Sequence, residues 1–81
     1  MSRLESLQMR SLDLKDRVFQ KIMRFLKLYA NNIRNIDFED NLITDDGLND
    51  IAINLFKEDT RFNIANNNIS MHGALKLITQ T

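Results

Sequence analysis

Five carboxylates, Asp37, Glu39, Asp40, Asp45 and Asp46, crowd one short stretch, and Asp45-Asp46-Gly47 has the acidic-Gly composition found in calcium loops. Such a loop needs oxygen ligands at its first, third and twelfth positions around a glycine at the sixth. With Gly47 in that place the three positions fall on Leu42, Thr44 and Ile53, so the spacing cannot hold the ion. The acids read instead as a polar strand face and as negative charge on the first turn of a helix, where the helix dipole favours it. His72 is the only histidine and cysteine is absent, which removes thiolate zinc sites, Cys nucleophiles and disulfides together. No serine stands beside a base and no Gly-rich phosphate loop occurs. No catalytic, cofactor-binding or metal-ligating residue is therefore expected, and no enzymatic activity.

The basic residues are the other candidates. Arg17, Lys21, Arg24 and Lys27 recur at helical spacing over residues 15–29. A basic amphipathic helix could lie on an anionic membrane or enter a helix-binding groove. Its apolar residues Val18, Ile22, Phe25, Leu26 and Tyr29 make a stripe that a packed core would use, so membrane contact is not expected and the basic edge is a candidate protein-binding surface. Residues 1–36 carry eight basic against three acidic residues, a net of +5, and residues 37–81 carry the compensating −5. Elements stacked in chain order would then make one end basic and the other acidic. The total of zero argues against nucleic acid as a partner.

What must position these residues is legible as self-similarity. Aligning residues 33–55 with 59–77 on Gly47 and Gly73 puts Ile36 on Phe62, Phe38 on Ile64, Ile43 on Ile69, Leu48 on Ala74, Ile51 on Leu77 and Asn41 on Asn67, at an offset of 26 residues. A third, degraded copy lies 29 residues upstream, with Leu7 on Ile36, Met9 on Phe38 and Leu14 on Ile43. Leu12 stands there in place of the asparagine and Val18 in place of the glycine. Offsets of this size mark solenoid repeats.

Within each copy two apolar residues flank a polar one, as in Ile36-Asp37-Phe38, the period of a strand with one face buried. Thr44 and Ser70 precede helical spacing as N-cap residues do. Leu48, Ile51, Ala52 and Leu55 give the i, i+3, i+4, i+7 stripe of a helix laid on the strands. Strands are expected near 6–9, 35–38 and 61–64, and helices near 15–29, 45–56 and 71–79. Met9, Met23 and Met71, and Phe19, Phe25, Phe56 and Phe62, are expected in the packing. Asn41 and Asn67 fall where the chain turns inward, and an Asn amide can both donate to and accept from buried backbone there.

The pattern I-R-N-I-D-F-E-D-N-L-I-T-D-D-G-L-N-D-I-A-I-N-L, followed by F-N-I-A-N-N-N-I-S-M-H-G-A-L-K-L, resembles the leucine-rich repeat, specifically the longer ribonuclease-inhibitor type. The resemblance covers nearly the whole chain. It implies one domain, residues 1–81, with repeats of about 4–32, 33–58 and 59–81: an α/β solenoid of about three strand-helix units with a short parallel sheet on its concave side. It also implies that Asn41 and Asn67 form an asparagine ladder, and that the chain binds other protein subunits as a structural component of a larger assembly, without a cofactor. The concave face would carry the rows Ser6, Asn35, Arg61; Gln8, Asp37, Asn63; and Arg10, Glu39, Ala65, of which Asn35, Asp37, Glu39, Arg61 and Asn63 are candidate partner contacts. A fainter resemblance, of Asp46-Gly47-Leu48 to the acyl carrier protein motif, would imply a four-helix bundle lacking its essential serine. The absence of cysteine, of a signal-peptide core and of a long apolar run fits an intracellular protein, cytoplasmic or cytoskeletal.

Overall fold

A computed structural model describes residues 4–30, 32–48 and 60–73. Strand β1 (Ser6–Gln8) is followed by helix α1 (Asp16–Tyr29), strand β2 (Asn35–Asp37), a short 3-10 helix (Asp45–Leu48) and strand β3 (Arg61–Asn63); residues 71–73 are helical. The strands form one parallel sheet in the order β1-β2-β3. Leu7 pairs with Ile36 and Ile36 with Phe62, and on either side run Ser6, Asn35, Arg61 and Gln8, Asp37, Asn63. That register is the one obtained by aligning the sequence copies. Parallel neighbours require long crossovers, and α1 supplies the first.

The architecture is therefore α/β around a three-stranded parallel sheet, which is not the helical bundle that the carrier-protein resemblance implies. Each strand lies within the expected span, and α1 begins one residue later than expected. The second helix starts at Asp45 as a 3-10 turn, and Ile51, Ala52, Leu55 and Phe56 lie outside the described residues. The third is helical at its described start, and Ala74 and Leu77 lie outside them as well.

Helix α1 has neither Gly nor Pro and is built of strong helix formers, with Asp16 in its first turn and Lys27 in its last. It ends at Ala30, whose N–H still donates to the Leu26 carbonyl at 2.8 Å. The core joins its inner face to the sheet: Phe19, Met23, Leu26 and Ala30 pack with Ile33, Ile36, Phe38, Ile43 and Leu48. The Phe19 and Phe38 rings meet edge to face, centroids 4.9 Å apart. Truncating either would cost about 3–5 kcal/mol, comparable to the whole stability expected of a small domain.

The expected core face of α1 needs correction. Its core stripe is Phe19, Met23, Leu26 and Ala30, one residue round from the stripe read off the sequence, and only Leu26 belongs to both. Val18, Phe25 and Tyr29 are 45%, 56% and 62% exposed. The reason is that α1 is apolar over two adjacent stripes, and the sheet can cover one. Gln20 donates to the Asp46 carbonyl at 3.2 Å, so its flank faces the 3-10 helix and the opposite flank, with Val18, faces away. Met71 also leaves the packing, at 81% exposure.

Candidate functional site

The turns after the strands share a backbone device. Ser11, Asp40 and Asn66, at equivalent positions of the three copies, all have positive φ, at 55°, 59° and 57°. Ser, Asp and Asn tolerate this left-handed conformation because short polar side chains can bond locally. The next residue is Leu12, Asn41 or Asn67.

Asn41 is 5% exposed. Its Oδ1 accepts from the N–H groups of Leu12 and Leu14 at 3.1 and 3.0 Å, while Nδ2 donates to the carbonyls of Met9 (2.8 Å), Phe38 (2.9 Å) and Glu39 (3.3 Å). Asn67 repeats the arrangement one copy on: Oδ1 accepts from the Ile43 N–H at 3.0 Å, and Nδ2 donates to Phe38, Ile64 and Ala65. Each amide thus ties its own turn to the turn before it. Leu12 has no such role; its side chain is 51% exposed and its N–H is served by Asn41.

A second recurring contact escapes the sequence reading. Asp16 accepts from both the N–H (2.7 Å) and the hydroxyl (2.5 Å) of Thr44, and Asp45 accepts from the N–H and hydroxyl of Ser70. The hydroxyls still act as caps, accepting from Asp46 N–H and Gly73 N–H. The carboxylates lie so close to the next copy's glycine that a Cβ on Gly47 would collide with Asp16, and one on Gly73 with Asp45. Glycine at these positions leaves room for a carboxylate reaching forward, with Ile43 and Ile69 also close, and no described aspartate reaches Val18. Asp45 was expected as helix-cap charge alone. The available signal was that Asp16 and Asp45 align in the two copies whose successors carry Thr or Ser followed by Gly three residues on.

The polar face of the sheet forms a shallow depression of about 500 Å³ lined by Ser6, Gln8, Arg10, Asn35, Asp37, Arg61 and Asn63. Arg10 clamps Asp37 with Nε at 2.6 Å and a second guanidinium nitrogen at 2.5 Å, and the other Asp37 oxygen accepts from the Glu39 N–H at 2.9 Å. The hydrogen bond from Arg10 holds the Asp37 carboxyl below the usual carboxylate range, with the Glu39 N–H assisting and desolvation opposing; the same bond pushes the Arg10 guanidinium up. Glu39 accepts from Asn63 Nδ2 at 3.3 Å, and Asn63 Oδ1 takes the Ala65 N–H. Of the five candidates on this face, Asp37, Glu39 and Asn63 are engaged with the chain itself, while Asn35 and Arg61 are exposed. Arg10 is an addition, legible as an opposite charge diagonal to Asp37 just past the end of the neighbouring strand.

The basic residues do not stay together. Arg17, Lys21 and Arg24 share the outer face of α1, but Lys27 stands seven residues from Gln20, on the flank toward the 3-10 helix. The end-to-end charge polarity also needs correction. β2 is the middle strand of the sheet, and the described residues 33–48 around it carry five acidic against one basic residue, while the described residues 60–73 carry one basic and no acidic residue. Among the described residues the acidic charge is central and only the first copy is strongly basic.

Among the described residues no group of three or more His, Cys, Asp or Glu could hold a metal ion, and no helix is long and apolar enough to cross a membrane. His72 is exposed in the turn position equivalent to Asp46. No protein-family model, curated protein or solved structure matches the chain.

Proposed function

We propose that the chain is an intracellular leucine-rich-repeat module that binds other protein subunits and performs no turnover of its own. The observation that carries the reading is the recurrence, in strand register, of one turn: a left-handed residue followed by an asparagine whose amide joins two successive turns, at Asp40-Asn41 and again at Asn66-Asn67. A parallel strand edge with a polar inner face and helices outside gives a short solenoid a surface for another polypeptide. Of the candidate contacts on that face, Asn35 and Arg61 are open to a partner, and the Arg10–Asp37 pair lies beside them.

The test is affinity capture from the native source with the full chain as bait, beside a variant carrying Asn35→Arg and Arg61→Glu. A protein recovered in stoichiometric amount by the native chain and lost with the variant supports the proposal. A stoichiometric partner that the variant keeps would move the contact off the sheet face, and conversion of a small molecule by the purified chain would overturn the reading.

A further inference from the structure

The apolar flank of α1 is largely left out of the core, with only Ile22 packed partly against it. Val18, Ile22, Phe25 and Tyr29 form a complete i, i+4, i+7, i+11 stripe beside the buried one; Phe25 and Tyr29 stack on each other with centroids 5.0 Å apart while each stays more than half exposed. Leu28, on the outer face, is 70% exposed. Lys21 borders the stripe on that outer face, with Arg17 and Arg24 further round it, and the only acid in the helix, Asp16, is turned to Thr44. The flank faces away from β2, beside the edge of β1 that pairs with no strand among the described residues. It is thus an apolar ridge with cations on the outer face of the same helix.

We propose that this ridge rests on an anionic lipid surface. Charge complementarity requires the occupant to be negative, and the exposed rings and aliphatic groups require it to accept apolar side chains. A bilayer interface offers both in one plane, with acyl boundary beneath the anionic headgroups. The shape favours lipid over an acidic protein. Protein anchors gather in desolvated pockets, whereas this is a convex helix corner, and the depression on the sheet is lined by none of its residues. A fluid surface conforms to such a ridge. The contact is peripheral and reversible, since one partly exposed stripe and three cations fall far short of a spanning helix. It does not depend on the protein-binding reading, because none of its residues lies in the rows of the sheet face.

The full chain should be sedimented with vesicles of phosphatidylcholine alone and of phosphatidylcholine containing phosphatidylserine, at low and high salt. The expected result is binding to the anionic vesicles only, reversed by salt. Changing Arg17, Lys21 and Arg24 together to Gln should weaken it by about two orders of magnitude, at the usual worth of a cation near an anionic surface. Phe25→Gln with Tyr29→Gln should abolish it with the charge intact. Both variants alter exposed side chains, and circular dichroism confirms the fold before binding is read; if the aromatic pair unfolds, Leu28→Gln substitutes for it. Equal binding to neutral and anionic vesicles, or none to either, overturns the proposal. So does binding to immobilised polyglutamate that is as tight as to vesicles and indifferent to the aromatic changes, which would assign the face to an acidic polypeptide. A dimer in sedimentation velocity that Phe25→Gln dissociates would assign it to a second copy and equally overturn the lipid reading.

Discussion

Replacing Asn41 by Leu should be among the most damaging single changes outside the aromatic core, and its size follows from which groups lose their partners. Five backbone groups touch the Asn41 amide, but two have others: the Phe38 carbonyl also accepts from Asn67, and the Glu39 carbonyl from the Ser11 N–H. The N–H groups of Leu12 and Leu14 and the carbonyl of Met9 lose the bond that the amide provides. At about 1 kcal/mol each, the low end for partly buried groups, the loss is about 3 kcal/mol. With a slope of about 1–3 kcal/mol per molar urea, the unfolding midpoint should fall by about 1–3 M.

The comparison is Asn66, a neighbour of Asn67 in sequence but exposed, with φ of 57°. Asn66→Gly should leave the midpoint nearly unchanged, because glycine enters that conformation freely. Asn66→Leu should cost about 1–2 kcal/mol through backbone strain alone. The expected order is native and Asn66→Gly together, then Asn66→Leu, then Asn41→Leu. Equal midpoints for the two leucine variants would refute the assignment of the Asn41 amide as the tie between turns.

Two further outcomes follow from the side-chain contacts. Because Asp37 has a folded-state pKa below its unfolded one, its contribution is present above the ordinary carboxylate range and is lost as pH falls through the folded value; the native urea midpoint should therefore drop on acidification below about pH 4, and Asp37→Asn should drop less steeply over the same range. Gly47→Ala should destabilise by collision with Asp16, so in an Asp16→Ala background the same change should cost at least about 0.5 kcal/mol less, and strictly additive midpoints in that double-mutant cycle would remove the steric account.

Strand position and register were legible because both are set by the same period-two alternation and by a repeat offset, and an offset error of one residue would turn Ile36 and Phe38 outward. The inward asparagines were legible because their neighbours align. The rotation of α1 was not. Its sequence is apolar at 18, 22, 25 and 29 and again at 19, 23, 26 and 30, and nothing in periodicity says which stripe the sheet will take. Tertiary packing decides that: Phe19 meets Phe38 edge to face, and Gln20 then falls toward the 3-10 helix. The Asp16–Thr44 and Asp45–Ser70 contacts stayed hidden for a related reason: acid in a first turn already has a local explanation in the helix dipole, which masks its reach to the next copy. The central place of the acidic charge needed only the sheet order and a count per copy.

These contacts also account for how the copies differ. The asparagine amide reaches back to the preceding turn, and the glycine makes room for a carboxylate arriving from behind. The first copy has Leu12 and Val18 at those two positions, together with Lys15 where Thr44 and Ser70 receive their aspartates. All three departures remove a group that acts backward, and none removes one that acts forward, since Asp16 is present. In the third copy the asparagine and glycine remain, while the forward aspartate is replaced by Met71, which is 81% exposed. The departures are thus directional at both ends of the sheet: the β1 side is altered against a unit of the same kind behind it, and the β3 side against one hooked by carboxylate in front. A degraded copy would have lost features without regard to direction. Sorted in this way, the groups that join one copy to the next are kept between the copies and altered on the outer sides of β1 and β3, and on the β1 side Val18, Phe25 and Tyr29 are exposed.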